Sequence, residues 1–174
     1  MTPLNLNYHF YAHLQGMPEG DLCQLPAVEV PGPVGGSCRV TPWQLQDHQR
    51  STPLVRSFEE VAAQLEQLPR LYFEPDGSFV WVGEEEPTSG DDDAVVDPAQ
   101  HSAHRRWQVD GNLYDLHGRL LYIELKGHCP PERFDQLLSA CGWPQQEVLF
   151  QLLREALYLS ESDFRRWALT RSSS

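Results

Sequence analysis

Positive charge is scarce in this chain: 13 lysines and arginines stand against 25 aspartates and glutamates, a formal net charge of −12. Such a field repels phosphate backbones and excludes a non-specific nucleic-acid binder. Nucleic acid enters only as the substrate of an enzyme that recruits a divalent cation first. The same acidity suits docking onto a basic protein partner. Long apolar runs are missing too. No stretch approaches the roughly 18 residues of a membrane helix, and no charged start leads into an apolar core and cleavage site. No membrane partner is expected, and the reading is a soluble cytoplasmic protein.

Paired metal and redox motifs are also absent. Cys23, Cys38, Cys129 and Cys141 form no C-x-x-C, so reduced thiols are expected rather than a disulfide framework. His101-x-x-His104, His128-Cys129 and Cys141 match no closed zinc spacing. Glu84-Glu85-Glu86 and Asp91-Asp92-Asp93 with Asp97 lack the spacing of a calcium loop, so residues 84–99 read as a solvated acidic loop. No G-x-S-x-G, G-x-G-x-x-G or Walker pattern occurs. On these grounds no cofactor is expected.

What remains fits a single α+β domain over residues 1–174, an antiparallel, meander-rich sheet with helices packed on one face. A chain of 174 residues can bury about 70% of its unfolded surface. Leu4, Leu6, Tyr8, Phe10, Ala12 and Leu14 alternate with Asn5, Asn7, His9, Tyr11 and His13, the period of a half-buried strand. On a strand His9 and His13 stand about 13 Å apart, too far to share a metal; a helix would bring the pair to zinc spacing. Residues 16–56, broken by six prolines and Gly35-Gly36, read as an irregular arm with a short strand at Ala27–Val30. Ser57 and Glu60 form a capping box for a helix ending before Pro69. Leu71–Val82 reads as a hairpin around Pro75-Asp76-Gly77, apolar on both faces and hence expected inside the sheet. Pro131–Cys141 is a helix stopped by Gly142. The run Val148–Leu153 is helical by spacing but apolar enough for a buried strand. Ser160 and Asp163 open a last helix, and residues 171–174 fray.

The most informative segment is Trp107–Lys126. Asp115-Leu116-His117-Gly118 reads as a turn closing a three-residue loop, which pairs Asp115 with Arg119. In that register Leu113, Gly111 and Val109 face Leu121, Ile123 and Leu125 on an apolar side. Asp110 lies opposite Glu124, with Lys126 one step along the same face. That other face also carries Asn112, Tyr114, Leu120 and Tyr122, a patch too apolar for plain solvent exposure. The arm, the last helix or a protein partner must cover it, and tyrosine favours the centre of an interface. The preferred reading is a non-catalytic interaction or regulatory module binding through Asn112, Tyr114, Leu120 and Tyr122.

Asp110, a thirteen-residue gap and Glu124-Leu125-Lys126, within an order of helix, three strands, helix and a further element over 57–157, resemble the PD-(D/E)xK nuclease superfamily. Val109 stands where that family usually has proline, and Glu59 and Glu60 are the nearest acids upstream. The resemblance implies that Asp110 and Glu124 bind a magnesium or manganese ion. Lys126 would support the attacking water and the charged transition state. A directly opposite pair brings two carboxylates within about 5 Å, which suits a shared hard cation.

Overall fold

The computed structural model of the chain describes residues 7–84 and 106–173. The expected acidic loop beyond Glu84, the His101/His104 pair and the first six residues lie outside them. Eleven strands and three helices follow in order: β1 (Tyr8–Gly16), β2 (Cys23–Gln24), β3 (Val28–Pro31), β4 (Ser37–Val40), β5 (Trp43–Gln44), α1 (Phe58–Leu65), β6 (Leu71–Phe73), β7 (Ser78–Glu84), β8 (Arg106–Leu116), β9 (Arg119–Cys129), α2 (Pro131–Ala140), β10 (Val148–Leu152), β11 (Leu157–Ser160) and α3 (Glu161–Ala168). Nine strands make one antiparallel sheet, in the order β2-β5-β11-β10-β1-β9-β8-β7-β6, and β3 and β4 form a separate hairpin. All three helices pack on one face, as the α+β reading expected.

Local chemistry explains the helices. Ser57 Oγ accepts from Glu60 N at 3.2 Å while Glu60 Oε2 accepts from Ser57 N at 2.8 Å, so the capping box forms in both directions. Proline opens α2, where its missing N–H costs nothing. Ser160 Oγ accepts from Asp163 N and caps α3. Their apolar stripes meet the even positions of β1. Phe10 lies against Phe134 of α2 and Phe164 of α3, and Phe164 stacks on Phe150 of β10 with centroids 3.9 Å apart. Rings of two helices and two strands thus anchor the core beneath the centre of the sheet.

Val148–Leu152 is a strand, not the helix its spacing favoured. Its inward residues Val148, Phe150 and Leu152 meet the helices, while Leu149 packs outward with Leu45 and Tyr158 beneath Met17, Leu22 and Trp43. A strand covered on both sides loses its alternation and reads as a continuous apolar run. The covering comes from the proline-rich arm, which is more regular than its composition suggested. Its β5 joins the sheet at Tyr158, β2 follows outside, and Gln15 Oε1 accepts from Ser51 N at 3.0 Å. The β3–β4 hairpin goes to the helical side, where Trp167 Nε1 donates to Pro31 O at 2.9 Å.

Only half of the Leu71–Val82 hairpin lies inside the sheet: β7 sits between β8 and β6. Strand β6 is its last strand, and the apolar residue on its outward face, Tyr72, is 64% exposed. Four strands, rather than three, separate α1 from α2.

Candidate functional site

The β8–β9 turn sets the geometry of the face that carries the candidate residues. His117 and Gly118 have φ of +53° and +81°, the double left-handed conformation of a two-residue hairpin turn. Gly118 N donates to Asp115 Oδ2 at 3.1 Å. The connection is therefore one residue shorter than the three-residue loop read from the sequence, and Leu116 pairs with Arg119. Leu120 opposes Asp115, Leu121 is an extra residue, and regular pairing resumes at Tyr114 and Tyr122. Short turn and bulge together displace the register by two. Parity survives a displacement of two, so the faces stay as expected while the partners change.

Leu120 is the exception. It lies before the bulge, points into the core and is fully buried, so it leaves the proposed partner-binding set. Asn112, Tyr114 and Tyr122 remain on the outer face. Asp110 lies opposite Lys126, and Glu124 lies opposite Asn112. The expected direct pairing of Asp110 with Glu124 is corrected to a diagonal one. Diagonal neighbours stand about 7–8 Å apart, against about 5 Å for an opposed pair.

Each of the three residues has its own local partner. Asp110 Oδ1 accepts from Gln108 Nε2 at 2.9 Å. Glu124 Oε2 lies 3.3 Å from His13 Nε2. The Lys126 ammonium sits 5.3 Å from the centroid of the Tyr11 ring. Lys126 is also the only lysine in the chain. Among the described residues, no group of three or more histidines, cysteines and acids is placed to hold a metal ion.

The pairing of β1 with β9 brings residues to this face that sequence reasoning did not connect with it. His9 opposes His128, Tyr11 opposes Lys126 and His13 opposes Glu124. The outer face thus runs in rows. One row is Tyr72, Val80, Asp110, Lys126 and Tyr11; the next is Ser78, Asn112, Glu124, His13 and Gln151. His13, Tyr122 and Tyr114 stack in series, with centroids 4.5 and 4.6 Å apart. His9 and His128 stack nearly parallel at 5.1 Å. The period of β1 placed its histidines on one face, but which strand would lie beside them was not a local property.

Exposure separates the two ends of the face. Over β10 and β11 the arm covers it; over β6 to β8 no described residue does. Tyr72, Leu116, Tyr114 and Val80 are 64, 57, 37 and 37% exposed. Burial raises the Tyr122 phenol above its ordinary range, with Tyr114 and Glu124 adding to the shift. It therefore stays a neutral donor at physiological pH. Stacked rings with polar tips beside a few charges can bind a flat apolar surface and read its polar edge. No family model, no curated protein and no solved structure matches this chain.

Proposed function

We propose that the protein is a non-catalytic interaction module that binds a protein partner through the outer face of β6 to β9. The observation that carries this reading is the concentration of exposed apolar side chains there. Four of the seven large hydrophobic residues exposed among the described residues, Tyr72, Val80, Tyr114 and Leu116, lie on that face. Single exposed apolar residues are ordinary, but two exposed pairs on one sheet face, Tyr72 with Val80 and Tyr114 with Leu116, on either side of the polar Ser78–Asn112 row, mark a contact surface. The stacked Tyr114–Tyr122–His13 series loses little side-chain freedom on binding, because neighbouring rings already restrain each ring. Asp110 and Glu124 at its edge, in a chain of charge −12, favour a partner with a basic rim. A cytoplasmic setting belongs to the same proposal, supported by four free thiols.

The experiment is affinity capture with the full chain, followed by hydrogen exchange of the purified complex. Protection on β7 to β9 with none on α1 to α3 supports the reading; protection confined to the helices contradicts it.

One observation keeps a second reading open. Asp110, Glu124 and Lys126 do share one face, with Lys126 opposed to Asp110, which preserves the residue set of a divalent-metal-dependent phosphodiesterase. Thermal melts of wild type and Glu124→Gln with and without magnesium or manganese separate the two. The interaction module predicts equal shifts in both proteins. A metal at tenfold its Kd would instead raise the wild-type Tm by roughly 3–6 °C and lose that effect in the variant.

A further inference from the structure

Beyond the tyrosine patch, the opposite end of the same strands forms an open-mouthed cavity of about 260 Å³. It arises from a notch in the sheet. Strand β1 pairs with β9 from Tyr8 to Leu14 but with β10 only from Ala12 onward. His9, Phe10 and Tyr11, on the stretch without a β10 partner, line the cavity. The β10–β11 turn brings Arg154 and Glu155 to its rim, and the β3–β4 tip brings Pro33 and Val34. Phe10 and Trp167 supply an apolar wall; Lys126, His9, His128 and Arg154 supply the polar one.

We propose that this cavity binds a small organic anion of charge two or more, a phosphate monoester or a dicarboxylate.

In a chain where acids outnumber bases by 25 to 13, the lining holds the only lysine, an arginine and two histidines against a single carboxylate, Glu155. Lys126, Arg154 and Glu155 alone sum to +1; with both histidines protonated the sum is +3. Among the described residues neither Lys126 nor Arg154 forms an ion pair, although Asp110 is the cross-strand partner of Lys126. Unpaired cations around a concavity focus the local field for an incoming anion.

A stacked histidine pair stands beside these cations. His128 Nε2 donates to the carbonyl of Arg106 at 3.2 Å, which fixes the ring beside His9. His9 stacks on His128 and is held below its ordinary range by burial, by His128 and by Arg171. A dianion beside both rings offsets that repulsion, so binding takes up a proton. His9 is the group whose proton is at stake, and the charged or titratable groups around it are His128, Arg171, Lys126, Arg154 and Glu155. The size argues for a metabolite-scale ligand, since 260 Å³ lies just below the range of drug-sized pockets, about 300–1,000 Å³. A charged head with one short apolar group matches the two walls.

The test is calorimetric titration of the full chain at low ionic strength with two probes, phenyl phosphate and phthalate. Saturable 1:1 binding of either supports the proposal, and the tighter probe identifies the headgroup. Arg154→Gln and Lys126→Gln, both at exposed side chains, should each weaken binding at least tenfold with unchanged melting. With phthalate, which is already largely dianionic at pH 6, affinity should fall several-fold between pH 6 and pH 8, whereas phenyl phosphate is still losing its second proton near pH 6. In the wild-type chain, bound probe should also protect Lys126 from acetylation, a signal that needs no variant. Failure of both probes to saturate, or unchanged affinity in both variants, overturns the site. It does so without bearing on the tyrosine patch, where Tyr114→Ala should leave anion binding intact.

Discussion

Arg165 ties the helical layer together. Its guanidinium stacks over Phe134 and Trp143 at 5.3 and 5.1 Å, bonds Asp135 at 2.7 Å and pairs with Glu161. Burial opposes its charge, but hydrogen bonds to Tyr8, Asp135 and Glu161 prevail and raise its pKa. Arg165→Ala removes the packing of the stem and leaves two acids without their cation. A loss of about 2–3 kcal/mol in urea denaturation is expected, at or below the range for breaking a buried pair because one acid is half exposed. The cysteines divide by burial in the same residue-by-residue way. Cys23 is exposed, whereas Cys38, Cys129 and Cys141 are buried; burial pushes the Cys141 thiol up to about 12 and that of Cys129 higher still. A disulfide dye should titrate one thiol rapidly in the native protein and four in denaturant. Two or more fast native thiols would contradict the packing of the core.

At the scale of elements, β9 depends on one glycine. Gly127 has φ of +140°, and a Cβ there would lie 2.1 Å from the Gln108 carbonyl oxygen on β8. Since that obstacle is backbone, it cannot swing aside. Gly127→Ala should cost more than about 3 kcal/mol, seen as a lowered urea midpoint, through strain and a broken β8–β9 ladder. Elements built from local chemistry were legible in the sequence: the Ser57/Glu60 box, the Ser160 cap and the alternation of β1 each act within a few residues. Elements shaped by distant contacts were not. Strand β10 hid its alternation because the arm covers its second face, and β6 took an edge that its composition did not advertise. The β8–β9 hairpin lies between these cases. Its faces followed from period two, but its partners depended on a turn one residue shorter and a bulge at Leu121, and Asp115-Leu116-His117-Gly118 is compatible with either turn.

The whole molecule is a sheet with two unlike sides. One side is filled by α1, α2 and α3; the other is covered by the arm over β10 and β11 and bears the stacked rings on β8 and β9. That division gives the candidate residues their meaning. Tyr114 and Tyr122 lie where helices are absent, and Leu120 belongs to the helical side. His9, His13 and Tyr11 join the face only because β1, far away in sequence, inserts between β9 and β10. No span, turn or motif encodes that neighbourhood, which is why half of the face was invisible in the linear chain. No helix among the described residues is long and apolar enough to cross a membrane.

Whether the exposed sheet face binds a partner is decided by the affinity of a captured protein for two single variants, measured side by side. Tyr114→Ala alters the stacked series, whereas Val55→Ala removes a more exposed apolar side chain, 81% accessible, on the loop before α1. Truncating an aromatic at the centre of an interface typically costs about 2 kcal/mol or more, some thirtyfold in Kd. A partner seated on the tyrosines requires at least a tenfold loss for Tyr114→Ala and none for Val55→Ala, with both variants melting like wild type. Unchanged affinity in Tyr114→Ala, or an equal loss in Val55→Ala, would contradict it.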